Sequence, residues 1–241
     1  MTKPADGPDF YEGGDLEALS TLHRYRRWIV DSFRPELKGA TVEIGAGIGN
    51  FADELLPHAS RLDLIEPTPR LCKAMEDRFA GNERVAIHAE FLEAWIAGAP
   101  AGHYDSVVLV NVLEHIEDDA AALAEIYRIL KPGGHLFLLV PALQLLYSRL
   151  DALVGHHRRY HLPELAARVD QAGLAVVRAR YFDVMGVLPW LILNRILGFT
   201  EFKPGMASLY DRIFVPITRR LETLVAPPFG KNVVLVARKP G

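Results

Sequence analysis

Residues 42–50, Val-Glu-Ile-Gly-Ala-Gly-Ile-Gly-Asn, place one carboxylate beside three closely spaced glycines, Gly45, Gly47 and Gly49. The apolar run at 41–44 that leads into them reads as a strand turning sharply into a helix. That is where an α/β sheet opens its ligand crevice. Glycine permits positive φ and lets the backbone come close to a ligand. Glu66 follows Gly45 by 21 positions and closes the next apolar run, 62–65. A carboxylate there can accept hydrogen bonds from both ribose hydroxyls of a nucleoside cofactor.

The glycine spacing bears on which cofactor. A dinucleotide fingerprint has glycines at its first, third and sixth positions. Here they fall at the first, third and fifth, and Asn50 holds the sixth, which argues against an NAD-dependent oxidoreductase. Glu43, two residues before the first glycine, would repel a pyrophosphate. It would attract the sulfonium and ammonium groups of S-adenosylmethionine. On these residues the chain resembles the class I S-adenosylmethionine-dependent methyltransferases of the small-molecule type, whose first motif is acidic-x-Gly-x-Gly-x-Gly. The resemblance runs from about residue 40 to 182 and resumes at 233, through VEIGAGIGN, IEP, NVLEHIEDD and LKPGG in order.

The resemblance implies a Rossmann-like α/β fold: a seven-stranded methyltransferase sheet with helices on both faces, its last strand antiparallel beside the fifth. It implies that Gly45, Ala46, Gly47, Gly49 and Asn50 form the loop under the methionine part of S-adenosyl-L-methionine, with Glu43 near its amino group. Glu66 would bind the ribose, with Pro67 beside the adenine. Glu90 stands where the family usually has Asp for the adenine amino group, and Phe91 and Leu92 would add backbone contacts. Asn111 and Val112 would line the methionine side.

Methyl transfer to a hydroxyl or ammonium needs a base to take a proton. His115 is one candidate, since an unperturbed histidine titrates near pH ~6.5; in the family the Glu114-His115 pair often packs beneath the cofactor loop instead. The segment 146–160, LYSRLDALVGHHRRY, follows the fifth strand on the side where acceptors bind in this fold. Its Tyr147, Arg158, Arg159 and Tyr160 could orient a polar or anionic acceptor, and His156 or His157 could remove a proton. The other reading is an Asp151–arginine network that holds the loop. No Asp/Glu/His set stands at metal-ligand spacing, so no metal is expected. Tyr11, His23, Tyr25 and Trp28 suit a lid, with Tyr11 placed to touch the acceptor and Trp28 better suited to core packing.

These groups need strands and helices to hold them. Strands are expected at 41–44, 62–66, 85–89, 105–111, 135–141, 174–182 and 233–239, and helices at 15–33, 49–57, 69–80, 118–130 and 161–172. Such alternation implies a mostly parallel sheet covered on both faces. Lys131-Pro132-Gly133-Gly134 should close a helix and turn into a strand. The chain reads as one domain: an arm and lid helix at 1–38, a cofactor-binding core at 39–183, a helical insertion at 184–225 and a final strand within 226–241. In the insertion, VMGVLPWLILNRILGF is too short and interrupted to span a membrane. Leu209, Ile213, Ile217, Leu221 and Leu224 then recur at helical spacing, and Pro216 should kink that helix. This apolar stripe would pack on the sheet, wall the acceptor pocket, contact a second subunit or lie on a membrane surface.

Composition narrows the classes further. The 241 residues are 50% hydrophobic and 24% charged, with net charge −3 and a single cysteine, Cys72. One cysteine excludes an internal disulfide and fits a reducing cytoplasm, and MTKPADGPDF lacks the apolar core of a secretory signal. Residues 195–241 carry 8 Lys/Arg against 3 Asp/Glu, a basic edge suited to an anionic substrate or a membrane surface. No nucleic-acid partner is expected: there is no basic domain, and Asn111-Val112-Leu113-Glu114 replaces the Asn-Pro-Pro-Tyr type of motif used on flipped bases. The expected partner is a small-molecule acceptor, such as a natural-product or sugar- or lipid-linked intermediate, with the chain a monomer or homodimer. The alternatives are a non-catalytic S-adenosylmethionine-binding module and a methyltransferase acting on a protein or membrane-associated substrate.

Overall fold

Seven short apolar runs become the strands of one sheet in the computed structural model, which describes residues 21–200 and 204–241. They are β1 Gly39–Ile44, β2 Ala59–Ile65, β3 Val85–His88, β4 Tyr104–Val110, β5 Leu130–Pro141, β6 Ala175–Phe182 and β7 Asn232–Arg238. Their order across the sheet is β3-β2-β1-β4-β5-β7-β6. β7 runs antiparallel between β5 and β6, and every other pairing is parallel. The central strands read as unbroken apolar runs, 107–109 and 136–140, because both faces of the sheet are covered.

The helices are α1 His23–Asp31, α2 Ala52–Leu55, α3 Pro69–Arg78, α4 Leu92–Gly98, α5 Asp119–Ile129, α6 Arg149–Leu153, α7 Leu162–Gln171, α8 Val187–Trp190, α9 Pro204–Leu209 and α10 Val215–Leu224. Trp95 of α4, Leu123 and Ile126 of α5 and Leu165 of α7 build the core on one face. Trp28 and Ile29 of α1, Met75 of α3 and Val215 of α10 build the core on the other.

Several boundaries differ from those expected. The helix expected at 49–57 shrinks to the four residues of α2, because Gly47 and Gly49 hold positive φ, 59° and 76°, which no helix allows. α5 starts as expected, with the Asp118 carboxylate accepting from the Ala121 amide at 2.9 Å. It stops at Ile129, and Leu130 is already extended. The Lys131-Pro132-Gly133-Gly134 segment is therefore no helix stop. It is a bulge inside β5, where pairing with β4 jumps from Tyr104–Leu130 to Ser106–His135. α4 and α6 were not expected at all, being too short for a helical period to show. Of the helix expected at 15–33, α1 is the described part; residues 15–20 and Tyr11 lie outside the described residues.

The insertion is helical but inside out. Leu209, Ile213, Ile217, Leu221 and Leu224 are 45–77% exposed, so of the positions left open for the stripe, packing on the sheet is not the one it takes. The side turned inward carries Asp211, Val215, Thr218 and Glu222. Its polar groups are all engaged. Asp211 accepts from the amides of Arg24 at 3.1 Å and Tyr25 at 2.8 Å, capping α1 from across the molecule. Glu222 accepts from Arg180 at 2.8 Å and from the Val184 amide at 2.9 Å. Pro216 cannot donate to a carbonyl four residues back, and the turn before it, Tyr210–Phe214, widens to π geometry.

Asp183 ties these additions to the sheet. It directly follows β6 with φ of 63° and is fully buried. Its carboxylate accepts from the hydroxyls of Tyr25 (3.2 Å) and Tyr210 and pairs with Lys231 at 3.2 Å. Burial first, then the Asp183 charge, push the Tyr25 hydroxyl well above its ordinary pKa. Tyr25 and Trp28 are thus core residues of α1, with Trp28 packed on Phe182 at 3.9 Å between ring centroids. They are not lid groups.

The cap predicts a stability effect. Asp211→Ala leaves two backbone amides without their partner, which costs about 2 kcal/mol. In a chain of this size that is a melting-temperature fall of about 4–8 °C. Asp211→Asn, which keeps one acceptor oxygen, should lose less. An unchanged melting temperature for Asp211→Ala would show that the cap contributes nothing.

Candidate functional site

The parallel register brings the carboxyl ends of β1, β2, β3 and β4 to one edge, and the chemistry-bearing residues sit there. Glu43 is the last but one residue of β1, paired beside Leu64 and Val108. Glu66 directly follows β2, and Asn111 directly follows β4. Between them Gly45 turns with φ of 73°, and a Cβ there would overlap the Val112 methyl. That close approach is why the residue after Ile44 carries no side chain. The amides of Gly45 and Ala46 both donate to the Ile65 carbonyl, at 2.8 and 3.0 Å.

Glu66 grips this loop. One carboxylate oxygen accepts from the Gly47 amide and the other from the Thr68 amide, both at 3.0 Å. Glu43 has no such company. It is 2% exposed, and its Oε2 has no hydrogen-bond partner. Burial first, and then the Glu66 charge, push its pKa up to about 8. A buried carboxylate left without a partner is costly unless it is protonated or a cation pairs with it. Its surroundings therefore fit the positively charged methionine end of S-adenosylmethionine. Pro67 is half-buried beside Glu66, and Glu90 and Phe91 are exposed beyond β3, the latter at 67%. Leu92 turns inward and packs against the core. Asn111 holds a positive φ of 54°, uncommon for a residue with a side chain.

The loop after β5 differs from expectation at most of its polar positions. Arg159 is buried, and it pairs bidentately with Asp151 and stacks over Trp190 of α8 at 4.6 Å. Tyr160 is fully buried, its hydroxyl donating to Asp119 at 2.8 Å. Arg158 also pairs with Asp119, at 2.9 Å. The Tyr147 hydroxyl donates to the His156 carbonyl at 2.6 Å. These donors were expected to face an acceptor. They are instead consumed by two buried carboxylates and a carbonyl, because burial in a core requires each polar group to find a partner. Asp151, the hub, also accepts from Ser148 and from His156 Nδ1 at 2.8 Å. Burial alone would raise its pKa, but the His156 hydrogen bond and the Arg159 guanidinium hold it below the ordinary value. The Ser148-to-Asp151 spacing is a capping box, a signal readable from sequence.

The three candidate histidines are not equivalent. His157 is exposed, whereas His115 and His156 are largely buried against each other, ring centroids 4.6 Å apart. Burial first and His156 second push the His115 pKa down to about 4. Glu114 lies beneath them, fully buried, with burial raising its pKa to about 8. The expectation that no acidic–histidine set lies within metal-ligand reach needs correcting. Folding places ligand atoms of Glu114, His115 and His156 within 4.8 Å of one another. Sequence spacing hid this, since the set joins the turns after two different strands.

Comparison with known proteins agrees with this arrangement. Residues 19–179 match the family model described as Methyltransferase domain. A ubiquinone biosynthesis O-methyltransferase of Xanthomonas euvesicatoria pv. vesicatoria (strain 85-10) is 29% identical over 214 residues, covering 82% of this chain and 84% of that protein. Among solved structures, an S-adenosylmethionine-dependent methyltransferase from Mesorhizobium loti superimposes with a TM-score of 0.61 at 15% identity, over 87% of this chain and 95% of that one. The N-methyltransferase NodS from Bradyrhizobium japonicum WM9, in complex with S-adenosyl-L-homocysteine, does so at 0.54 and 17%, over 98% and 93%. With the Glu43–Gly49 loop, the Glu66 clasp and the antiparallel seventh strand already in place, the chain belongs to the class I S-adenosylmethionine-dependent methyltransferases.

Proposed function

We propose that this methyltransferase methylates a hydroxyl oxygen of a small, largely apolar acceptor that it meets at a membrane surface. The buried, unpartnered carboxylate of Glu43 beside the glycine loop is the observation that carries the cofactor side of this reading. When bound, S-adenosylmethionine supplies a methyl group on a cationic sulfur. Glu43 balances that charge or the neighbouring ammonium, and Glu66 exchanges its loop amides for ribose hydroxyls. Asn111 and Val112 close the methionine side, and Glu90, Phe91 and Leu92 frame the base. Holding donor and acceptor in line contributes about 7–11 kcal/mol of barrier lowering without any side-chain chemistry.

The acceptor side rests on two supports. The relative from Xanthomonas is named an O-methyltransferase of ubiquinone biosynthesis, which points to a hydroxyl on a small molecule. The insertion adds an outward stripe of Leu209, Ile213, Ile217, Leu221 and Leu224, and Arg212, Arg219 and Arg220 lie on the same helical run. Apolar groups that enter a lipid boundary, with arginines beside anionic headgroups, are what an interfacial helix needs. No helix among the described residues is long and apolar enough to cross a membrane. The insertion also touches the post-β5 loop, where Trp190 Nε1 donates to the Leu146 carbonyl at 3.1 Å. It can therefore pass an acceptor from the surface to the site. His157, exposed on that loop, is the remaining candidate for a general base.

Three measurements test these assignments. By calorimetry, S-adenosyl-L-homocysteine should bind, and Glu66→Ala should weaken it about 10–100-fold, the loss of about 1.4–2.8 kcal/mol. Tight NAD binding without a response to either sulfur compound would overturn the reading.

Proton linkage tests Glu43. With a pKa near 8 it is mostly protonated at pH 7 in the free protein, and a cationic ligand favours the ionised form. Binding of S-adenosylmethionine should therefore expel a proton, and affinity should rise towards pH 8 by at most about tenfold per unit. Glu43→Gln should abolish the release measured in buffers of different ionisation heat.

The third measurement concerns the stripe. Vesicles of mixed zwitterionic and anionic lipid should bind the protein. The pair Ile217→Glu and Leu221→Glu should remove that binding and leave S-adenosyl-L-homocysteine affinity unchanged. A stable dimer that ignores vesicles would show that a second copy covers the stripe.

A further inference from the structure

Glu114 is a fully buried side chain, and both of its carboxylate oxygens lack a hydrogen-bond partner. His156 Nε2 lies 3.8 Å from Oε1, too far for a hydrogen bond. His115 completes a set whose ligand atoms all lie within 4.8 Å of one another. We propose that Glu114, His115 and His156 bind a divalent transition-metal ion.

Three features support a built site over chance packing. A buried carboxyl group needs hydrogen-bond partners or a cation, and neither oxygen of Glu114 is reached by a hydrogen bond among the described residues. The second is the orientation of His156. Its Nδ1 lies 2.8 Å from Asp151 Oδ1 and is engaged there, so Nε2 is the ring nitrogen turned toward Glu114. Metal-bound histidines are commonly held in this way, by a carboxylate on the far nitrogen. Asp151 is in turn fixed by Ser148 and Arg159, which locks the imidazole in place. Third, His115 packs edge-on against the His156 ring, so the two imidazoles and the carboxylate converge from two separate turns.

The donor set names the class of ion. Two imidazoles and one carboxylate suit Zn²⁺, Fe²⁺ or Co²⁺, whereas Mg²⁺ and Ca²⁺ prefer oxygen ligands. Three protein ligands leave a coordination position open, as in catalytic rather than structural sites. Glu114 and His115 follow Val112, which packs on Gly45 of the cofactor loop. With a metal ion bound, the open position would take an acceptor hydroxyl and favour its alkoxide or phenoxide form, the proton passing to solvent. This last role rests on the proposed O-methylation; the metal site does not.

The test uses the full chain after chelator treatment, titrated with ZnCl₂ by calorimetry and with CoCl₂ by visible absorption. One ion per chain should bind, with a Co²⁺ band characteristic of nitrogen and oxygen ligands. His115→Ala and His156→Ala should each weaken Zn²⁺ binding at least about tenfold. Glu114→Gln should do the same while keeping the shape of the side chain. Retained S-adenosyl-L-homocysteine affinity in each variant shows that it is folded and separates this test from the methyltransferase assignment. Wild-type protein that binds neither ion, or variants that bind as tightly as wild type, would overturn the site. Catechol added to the Co²⁺-loaded protein should shift the band, and an unchanged spectrum overturns the acceptor role.

Discussion

Two buried carboxyl groups, Glu43 near the end of β1 and Glu114 just past β4, have oxygens that no hydrogen bond among the described residues reaches, and they set the terms for this molecule. Each lies within the hydrophobic interior at the carboxyl edge of the sheet, and burial raises the pKa of each to about 8. Unpaired buried charge is among the costlier things a fold can contain. Asp63 and Ser106, buried in the same sheet, have hydrogen-bond partners, whereas these two stand where ligands enter. Glu43 stands where a sulfonium or ammonium would meet it. Glu114 stands where two imidazoles already face it.

The other buried carboxylates are satisfied, and the contrast separates scaffold from site. Asp151, Asp183 and Asp211 each collect several donors from distant parts of the chain. Asp211 caps a helix nearly two hundred residues earlier. Asp183 joins α1, the insertion and the start of β7. These links attach the amino-terminal helix and the insertion to a sheet that would otherwise end at β6. The polar inward face of α10 follows from the same bonding. Because Glu222 is needed for Arg180 and the Val184 amide, the apolar stripe is left on the outer side, where a lipid boundary or another copy can cover it.

What could be read from sequence divides along the same line. The strands at the centre of the sheet, the glycine loop, Glu66 and the order of motifs depend on neighbours within a few residues or on strand periodicity, and they were legible. The role of Tyr160 was not, and for Arg159 the Asp151–arginine network was one of two readings that sequence alone left open. A guanidinium in a polar loop reads as a binding group until its buried partner is known, and Asp119 and Asp151 become partners only on folding. The inverted helix was illegible for a related reason. Helical spacing locates an apolar stripe but does not say which side meets the protein, and only the engaged Asp211 and Glu222 decide it.

The histidines show how one geometry restricts mechanism. A general base must offer a free lone pair to the acceptor proton. His156 donates one nitrogen to Asp151 and aims the other at Glu114, and His115 is pressed against it and disfavours a proton down to about pH 4. Neither is arranged to collect a proton from an incoming hydroxyl and release it to water. Both rings turn toward the Glu114 carboxylate, and burial keeps His115 in the neutral form in which imidazole donates electron pairs to a metal. A metal ion held by Glu114, His115 and His156 would lower the acceptor's own pKa by coordination, so that no side chain need remove its proton. The base role then narrows to solvent or to exposed His157.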